Sequence, residues 1–365
     1  MLKEKINIII TLILFFIISI ISIYNVNEVY VGKQILWYLV GFTLIIFFKK
    51  INYKKIINIT PILYVLMNFI LLLLLIFAPE INGSKCWIII PSIGSFQPSE
   101  FMKIILILMN AKILTDYEKK YKNKTLKTDV FVFFKIIIIT LIPSILTFLE
   151  PDTGMVIIYF FISFVMLFIS GIKKSILITL VSLMGILITS FLYFYFNYQD
   201  AFISIFGTTF FYRIERLIDW SGKSGMQLTN ALASIKAAGL FGFGIKNIPI
   251  YIPEAHTDFI FSSYASLSGL IGTLILIILI LYFDIILLKL AFNMKNKNKK
   301  YIIIGFVAMI LYQQMQNIGM NIGLLPITGI TLPFISYGGS SLLSYMISIG
   351  IVLSFNIKDK SNKTI

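Results

Sequence analysis

One aspartate of this 365-residue chain stands where general-base chemistry would suit it. Asp258 lies in the segment PEAHTDFIF, at the boundary between a polar stretch and a long apolar run. Partial loss of water at such a boundary raises the pKa of a carboxyl group from about 3.9 towards the range of an effective base. Helix N-capping is the alternative, since an aspartate side chain accepts hydrogen bonds from a first turn. The residues alone leave both roles open.

The single histidine, His256, stands two positions before Asp258. Side chains two apart on a helix point in different directions, so we expect His256 to be a hydrogen-bonding support rather than a proton relay. One histidine and one cysteine, Cys86, cannot supply a typical zinc ligand set or an internal disulfide. No protein-only metal site is predicted, and Cys86 is expected to be a small apolar filler.

The segment QPSEFMK places two opposite charges at the start of an apolar run. Glu100 and Lys103 are three residues apart, so on a helix they share a face and can pair. Gln97 and Ser99 provide a plausible helix start. The pair is either a structural ion pair or a cationic site for an anionic lipid head group, with Glu100 holding Lys103 charged and oriented.

Three further groups of polar residues are candidates. Arg213 and Arg216 in YRIER are one helical turn apart and could clamp a diphosphate, although Glu215 between them allows a surface salt bridge instead. In EPDTG, Asp152 either takes part in a site or caps a helix. Gln313, Asn317 and Asn321 follow i, i+4, i+8 and give one polar face, either interhelical contact or a cavity wall.

The elements that must position these residues are transmembrane helices. The chain is 58% hydrophobic and only 13% charged, which excludes an ordinary soluble domain. Apolar runs long enough to cross a bilayer recur from end to end. The sequence therefore predicts an all-α polytopic membrane protein of about ten helices, forming one domain over 1–365. The predicted spans are 6–24, 35–48, 56–78, 100–115, 130–148, 154–172, 175–196, 259–290, 301–323 and 340–356.

The charge distribution predicts the orientation. With both termini in the cytoplasm, the inner side carries 22 basic residues and the outer side seven. The net charge of +15 is therefore topological, and nucleic acid is not expected as a partner. Residues 197–258 form a long extracytoplasmic loop between the seventh and eighth helices. Its many aromatic residues predict packing on or into the outer leaflet, whereas the breaker-rich residues 324–339 predict buried re-entrant backbone.

Taken together, these segments resemble the SEDS family of bacterial wall-synthesis proteins, which includes RodA, FtsW and SpoVE. Lacking long terminal extensions, the chain is expected to be more similar to RodA than to FtsW. The resemblance covers most of the chain in the family's order. Its motifs are NGSKCWIIIPSIGSFQPSEFMK (82–103), EPDTG (150–154), YRIERLIDW (212–220), QLTNALASIKAAGLFGFG (227–244), IPEAHTDFIF (252–261) and NIGLLPITGITLPFISYGGSS (321–341).

The resemblance implies a peptidoglycan glycosyltransferase of the bacterial cytoplasmic membrane, acting on its outer face. It implies lipid II and the growing glycan strand as substrates and a class B penicillin-binding protein as partner. Asp258 would be the general base and undecaprenyl diphosphate the leaving group, with inversion. Glu100 and Lys103 would line a central cavity. No cofactor is evident, although a divalent cation, Mg²⁺ or Mn²⁺, could bridge the diphosphate.

The chain departs from the family's usual pattern in places. Ser266 and Leu267 stand where the family usually has two glutamates, Cys86 replaces an arginine, and only Gly239 remains of a glycine-rich run. Two other functions therefore stay open. One is a lipid II flippase, and the other is a scaffold that activates the cross-linking partner without catalysis. Whether the process served is elongation, division or sporulation is also open.

Overall fold

The computed structural model describes residues 2–81, 83–90, 94–121, 125–208, 210, 211, 214, 226–247 and 249–355. Within these ranges the protein is predominantly α-helical. A short 3₁₀ turn, Glu28–Tyr30, precedes the second helix. The described helices are α1 (Leu2–Val26), α2 (Val31–Lys50), α3 (Tyr53–Phe77), α4 (Pro98–Lys120), α5 (Leu126–Leu149), α6 (Thr153–Ile169), α7 (Lys174–Asn197), α8 (Gln199–Phe206), α9 (Met226–Ala237), α10 (Ile260–Phe292), α11 (Lys297–Asn321) and α12 (Gly339–Leu353).

Two short strands form a hairpin immediately before α4. The strands, β1 (Ile88–Ile90) and β2 (Gly94–Phe96), are antiparallel, with Ile89 opposite Ser95. The apolar pattern did not predict this hairpin, because three-residue strands are too short to show a periodic signal. The hairpin leads the chain directly into the helix that carries Glu100 and Lys103.

A helix coincides with each of the ten predicted spans. Seven stretches are long and apolar enough to cross a membrane by length and composition. Helices α6 and α12 are apolar but shorter, with 17 and 15 residues, and α4 is less apolar because charged residues occupy both of its ends. The all-α polytopic class is thus confirmed, whereas the number of crossings and the orientation stay predictions.

Helices α4 and α11 form the centre of the bundle. α11 packs against α10, α6 and α4, and α4 also contacts α3, α5 and α12. Because other helices surround them, their polar side chains find protein partners instead of lipid. Accordingly, α4 and α11, which are the most polar of the described helices, lie innermost.

Part of the predicted long loop is folded. Tyr195 near the end of α7 packs with Phe202 of α8 and with Phe211, forming an aromatic cluster. Helix α9 packs against α10 and α11 and buries Leu228 and Ala231. The described parts of the segment are therefore packed against other elements, as its apolar composition predicts.

Helix α10 is broken near its first third, which the continuous apolar run 259–290 did not predict. Gly269 has φ of +65° in the helix, and the backbone of residues 239–244 lies against the break. Main-chain groups that the break leaves without helical partners bond to this loop, as buried backbone at membrane depth requires. The bonds join Phe243 N to Ser266 O (2.9 Å), Gly244 N to Leu267 O (3.1 Å), Leu270 N to Gly239 O (3.0 Å) and Ile271 N to Leu240 O (3.2 Å).

The segment between α11 and α12 is non-helical and buried within the bundle. Ile330, Leu332, Phe334 and Ile335 in it are each no more than 2% exposed. The breaker-rich pattern of residues 324–339 predicts this burial. The segment carries its backbone back towards Asp258, so it forms one wall of the candidate site.

Candidate active site

Asp258 lies at the end of a tight turn that leads into α10. Glu254, at φ of +54°, accepts hydrogen bonds on its carbonyl oxygen from the N–H groups of Thr257 and Phe259, both at 3.1 Å. Phe259 is the N-cap residue of α10, and its side chain makes no capping bond. The Asp258 side chain is thus not at the capping position, and it is partly exposed at this end of the bundle.

Two amides of α11 hold the main chain of Asp258. The Nδ2 groups of Asn317 and Asn321 each donate to the Asp258 carbonyl oxygen at 2.9 Å. Asn317 also donates to the carbonyl oxygen of Ile330 at 2.7 Å. Both asparagines are fully buried, so of the two alternatives for the polar face of α11, the structure shows interhelical contact.

A glycine of the segment between α11 and α12 lies beside the Asp258 carboxylate. Gly329 has φ of +70°, and a Cβ atom placed on it would lie 3.5 Å from Oδ2 of Asp258. Burial, reinforced by the nearby charge of Glu254, raises the pKa of Asp258 to about 7. No ion pair within the described ranges engages this carboxylate. The group is therefore poised to accept a proton near neutral pH.

His256 takes part in an aromatic stack. Its ring lies parallel to that of Tyr30, with centroids 4.4 Å apart, and the ring of Tyr337 is tilted against both. The carbonyl oxygen of His256 accepts the N–H of Tyr337 at 2.9 Å. Burial lowers the pKa of the imidazole, which keeps it neutral at pH 7. The structure thus places His256 as a support that joins three segments.

Glu100 and Lys103 form a closed ion pair in the bundle centre. Lys103 Nζ lies 2.6 Å from Glu100 Oε2, and the two side chains are 0% and 4% exposed. Gln313 accepts from Lys103 Nζ at 3.3 Å and donates to the hydroxyl of Tyr345 at 2.7 Å. Neighbouring side chains enclose both charges in this structure, and a role of the pair in lining a central cavity stays a prediction.

Asp152 caps a helix and gathers polar groups around it. Its carboxylate accepts the N–H of Met155 at 3.2 Å in the first turn of α6, Nε2 of Gln97 at 2.8 Å and the hydroxyl of Ser99 at 3.4 Å. Burial raises the pKa of Asp152 to about 6. Asp152 therefore accepts a hydrogen bond from Gln97, and of its two predicted roles the structure shows helix capping.

The polar face of α11 connects these groups. Gln313 reaches the Glu100 and Lys103 pair, and Asn317, one turn further along the helix, reaches Asp258. The i, i+4, i+8 pattern predicts that all three amides share one polar face, and the contacts of the structure show which group each of them reaches. The nearby glycine, Gly329, has no signal in a single sequence.

Neither the predicted arginine clamp nor a metal site of protein ligands is seen among the described residues. Arg213 and Arg216 lie outside the described residues, so their role as a diphosphate clamp stays a prediction. In the described part of the chain, no three His, Cys, Asp or Glu side chains are grouped as metal ligands. The described residues therefore do not fit a metal site built of protein ligands alone.

The fold is that of a polytopic α-helical membrane protein. Its central polar face leads to the half-buried Asp258 at one end of the bundle. Comparison with known sequences specifies the family. The chain belongs to the FtsW, RodA and SpoVE family, described as cell cycle proteins, whose model matches residues 3–361. The predicted resemblance is thereby confirmed.

Individual relatives cover nearly the whole chain. A probable peptidoglycan glycosyltransferase FtsW of Wigglesworthia glossinidia brevipalpis is 33% identical over 94% of this chain and 88% of its own. The stage V sporulation protein E of Bacillus subtilis is 31% identical over 88% of this chain and 85% of its own. These relatives come from more than one branch of the family.

Solved structures share the fold. Thermus thermophilus RodA matches with a TM-score of 0.69 at 23% identity, over 95% of this chain and 94% of that chain. A chain from a structure of polymerization and crosslinking coordinated by a peptidoglycan synthase complex matches with a TM-score of 0.78 at 24% identity. That match covers 97% of this chain and 96% of the other.

Proposed function

We propose that the protein is a peptidoglycan glycosyltransferase that polymerises lipid II into glycan strands. The observation that carries the proposal is the setting of Asp258. The residue is half-buried and its carboxylate lies beside Gly329, where no ion pair within the described ranges engages it, while buried amides hold its peptide in place. The names of the curated FtsW relatives support the reaction class.

In the proposed reaction, Asp258 acts as general base. It accepts the proton of the acceptor sugar's 4-hydroxyl while that oxygen attacks the anomeric carbon of the donor. The bond from the anomeric carbon to the diphosphate breaks, and undecaprenyl diphosphate leaves with inversion. A pKa of about 7 keeps a large share of the carboxylate ionised at neutral pH. Positioned proton transfer of this kind typically contributes about 10²–10⁴-fold in rate.

The departing diphosphate needs positive charge beside it. Lys103 is enclosed in this structure, so it does not reach a ligand without a rearrangement. We assign the role to Arg213 and Arg216, and a divalent cation would add positive charge if the diphosphate carried one.

The proposal includes location and partner. The charge asymmetry of the chain supports a bacterial cytoplasmic membrane protein with Asp258 at the outer face. A class B penicillin-binding protein would cross-link the product. The structural similarity to a chain of a peptidoglycan synthase complex is consistent with such a partner.

Polymerisation of lipid II by the purified protein with its partner tests the proposal. The wild type should produce glycan strands, and Asp258→Asn should reduce the rate at least about 100-fold without loss of folding. Asp200→Asn, which alters an exposed aspartate of α8, is the matched control and should remain active. Full activity of Asp258→Asn would overturn the assignment.

Two further measurements separate the other functions. Transfer of labelled lipid II across liposome leaflets by this protein alone, unaffected by Asp258→Asn, would favour a flippase. Complementation of a deletion strain by the same variant would favour a scaffold.

A further inference from the structure

A side chain of α11 satisfies an N–H group at the start of α10. Phe259 is the N-cap residue, so Ser262 in the first turn has no partner within the helix. Its N–H donates to Oδ1 of Asn321 at 3.0 Å. Nδ2 of Asn321 in turn donates to the Asp258 carbonyl oxygen at 2.9 Å. The Asn321 carboxamide thus bridges the two groups that would bond to each other if the helix began one residue earlier.

The bridge is local and buried. The first bond of the helix, from Ser263 N to the N-cap residue Phe259, is regular at 3.1 Å. Asn321 Oδ1 also accepts the Ser262 hydroxyl at 2.6 Å, and Asn321 Nδ2 also donates to its own helix at the Asn317 carbonyl. Asn321 and Ser262 are both fully buried, so no water competes for these groups. A carboxamide suits this place because it offers a donor and an acceptor at once.

We propose that Asn321 is a positioning residue that keeps Asp258 out of the helix. Without the carboxamide, the Ser262 N–H would be buried without a partner, which is unfavourable, and the Asp258 carbonyl oxygen would keep only its bond from Asn317. Direct bonding of the Ser262 N–H to the Asp258 carbonyl oxygen would restore a partner by winding Asp258 into the helix. Winding turns a side chain by about 100° per residue, so the carboxylate would leave Gly329. The inference rests on the proposed catalytic role of Asp258.

Two substitutions at Asn321 test the inference in the lipid II polymerisation assay. Asn321→Ala removes both halves of the bridge, and we expect kcat to fall about 100-fold while KM changes less than about 3-fold. Asn321→Asp keeps the acceptor for Ser262 but, when ionised, lacks the donor to Asp258, so a smaller fall of about 10-fold is expected. A purely structural role predicts the reverse order, because a buried charge disrupts packing more than alanine does.

Controls separate this inference from loss of folding and from the proposed function. Asn110→Ala removes another fully buried amide, which bonds Ser163 between helices, and should leave kcat within about 3-fold of the wild type. Thermal unfolding is measured for every variant, and the isosteric Asn321→Asp decides the test if Asn321→Ala does not fold. Wild-type kcat in the folded Asn321 variants, with Asp258→Asn inactive, would overturn only the positioning role. Full activity of Asp258→Asn would instead overturn the proposed function.

Discussion

At the residue scale, the chemistry depends on how a few polar side chains are kept apart from water and from one another. Asp258 has its main chain fixed and makes no ion pair within the described ranges, whereas Lys103 has its charge enclosed and paired. Burial has opposite uses in the two cases. Burial makes the Asp258 carboxylate a stronger base, whereas it leaves the paired Lys103 with a structural role.

The raised pKa of Asp258 predicts how activity and stability depend on pH. Activity should fall as pH decreases below about 7, because the carboxyl becomes protonated and cannot act as a base. The folded state binds this proton more tightly than the unfolded state, whose aspartate has a pKa of about 3.9. The contribution of Asp258 to stability is therefore full below about pH 4 and is lost as pH rises through 7.

Replacing Asp258 by asparagine removes the charge and should reverse that loss. We expect Asp258→Asn to raise the free energy of unfolding at pH 8 by about 1 kcal/mol, with little change at pH 4. Thermal unfolding at both pH values measures the difference. Equal stability of variant and wild type at pH 8 would contradict the raised pKa.

The enclosed pair predicts a contrast between a single and a double substitution. Lys103→Met leaves the buried Glu100 carboxylate uncompensated and should cost about 3–5 kcal/mol of stability. Adding Glu100→Gln should recover most of it. As a control, Lys246→Met breaks the exposed pair with Glu28, whose side chains are 50% and 63% exposed, and should cost under about 1 kcal/mol. A small effect of Lys103→Met would show that water reaches the pair.

At the element scale, the break in α10 joins the long loop to the helix that follows Asp258. The loop approaches closely because two glycines, Gly242 and Gly269, face each other at the break. A Cβ atom on Gly242 would lie 2.3 Å from the Leu267 carbonyl oxygen. Only glycine allows this contact, since no side-chain rotation relieves a clash with backbone.

Gly242→Ala should therefore detach the loop from the break. We expect a loss of stability of about 2–4 kcal/mol together with reduced polymerisation, because α10 loses partners for buried main-chain groups. Gly239→Ala is the matched control, since Gly239 also has positive φ, at +60°, but has open space at its Cβ position. It should show only the cost of backbone strain, about 1 kcal/mol. Equal effects of the two substitutions would argue against the close contact.

At the scale of the whole molecule, the sequence predicts the helices well and their interruptions poorly. An apolar run of about 20 residues has almost no alternative to a helix in a membrane, so the predicted spans coincide with helices. The break at Gly269 interrupts no apolar pattern, and the bridge at Asn321 depends on a partner 59 residues away in the chain. The motif PEAHTDFIF identifies Asp258 in the sequence. The residues that hold Asp258 in place are brought together by tertiary contacts, which a single sequence does not reveal.

The predicted orientation is testable with single cysteines in intact cells. Tyr251→Cys places a cysteine at an exposed position seven residues before Asp258, and Lys119→Cys places one at an exposed position in the last turn of α4, at the end opposite Glu100. A membrane-impermeant thiol reagent should label the first and not the second. The native Cys86 is buried, and burial raises the pKa of its thiol to about 12, so it should contribute little background. Labelling of Lys119→Cys but not of Tyr251→Cys would show that the orientation is the reverse of the predicted one.

The dry centre of the bundle also affects the electrical properties of the membrane. Beyond the closed ion pair, Ile107 and Leu114 of α4 face a core that includes Ile303 and Ile310 of α11, all no more than 2% exposed. A chain of water molecules cannot form between these four side chains while they stay packed, so this part of the described bundle gives protons no path down the membrane potential. We therefore expect that many copies of the protein can be present in a membrane without dissipating its proton gradient.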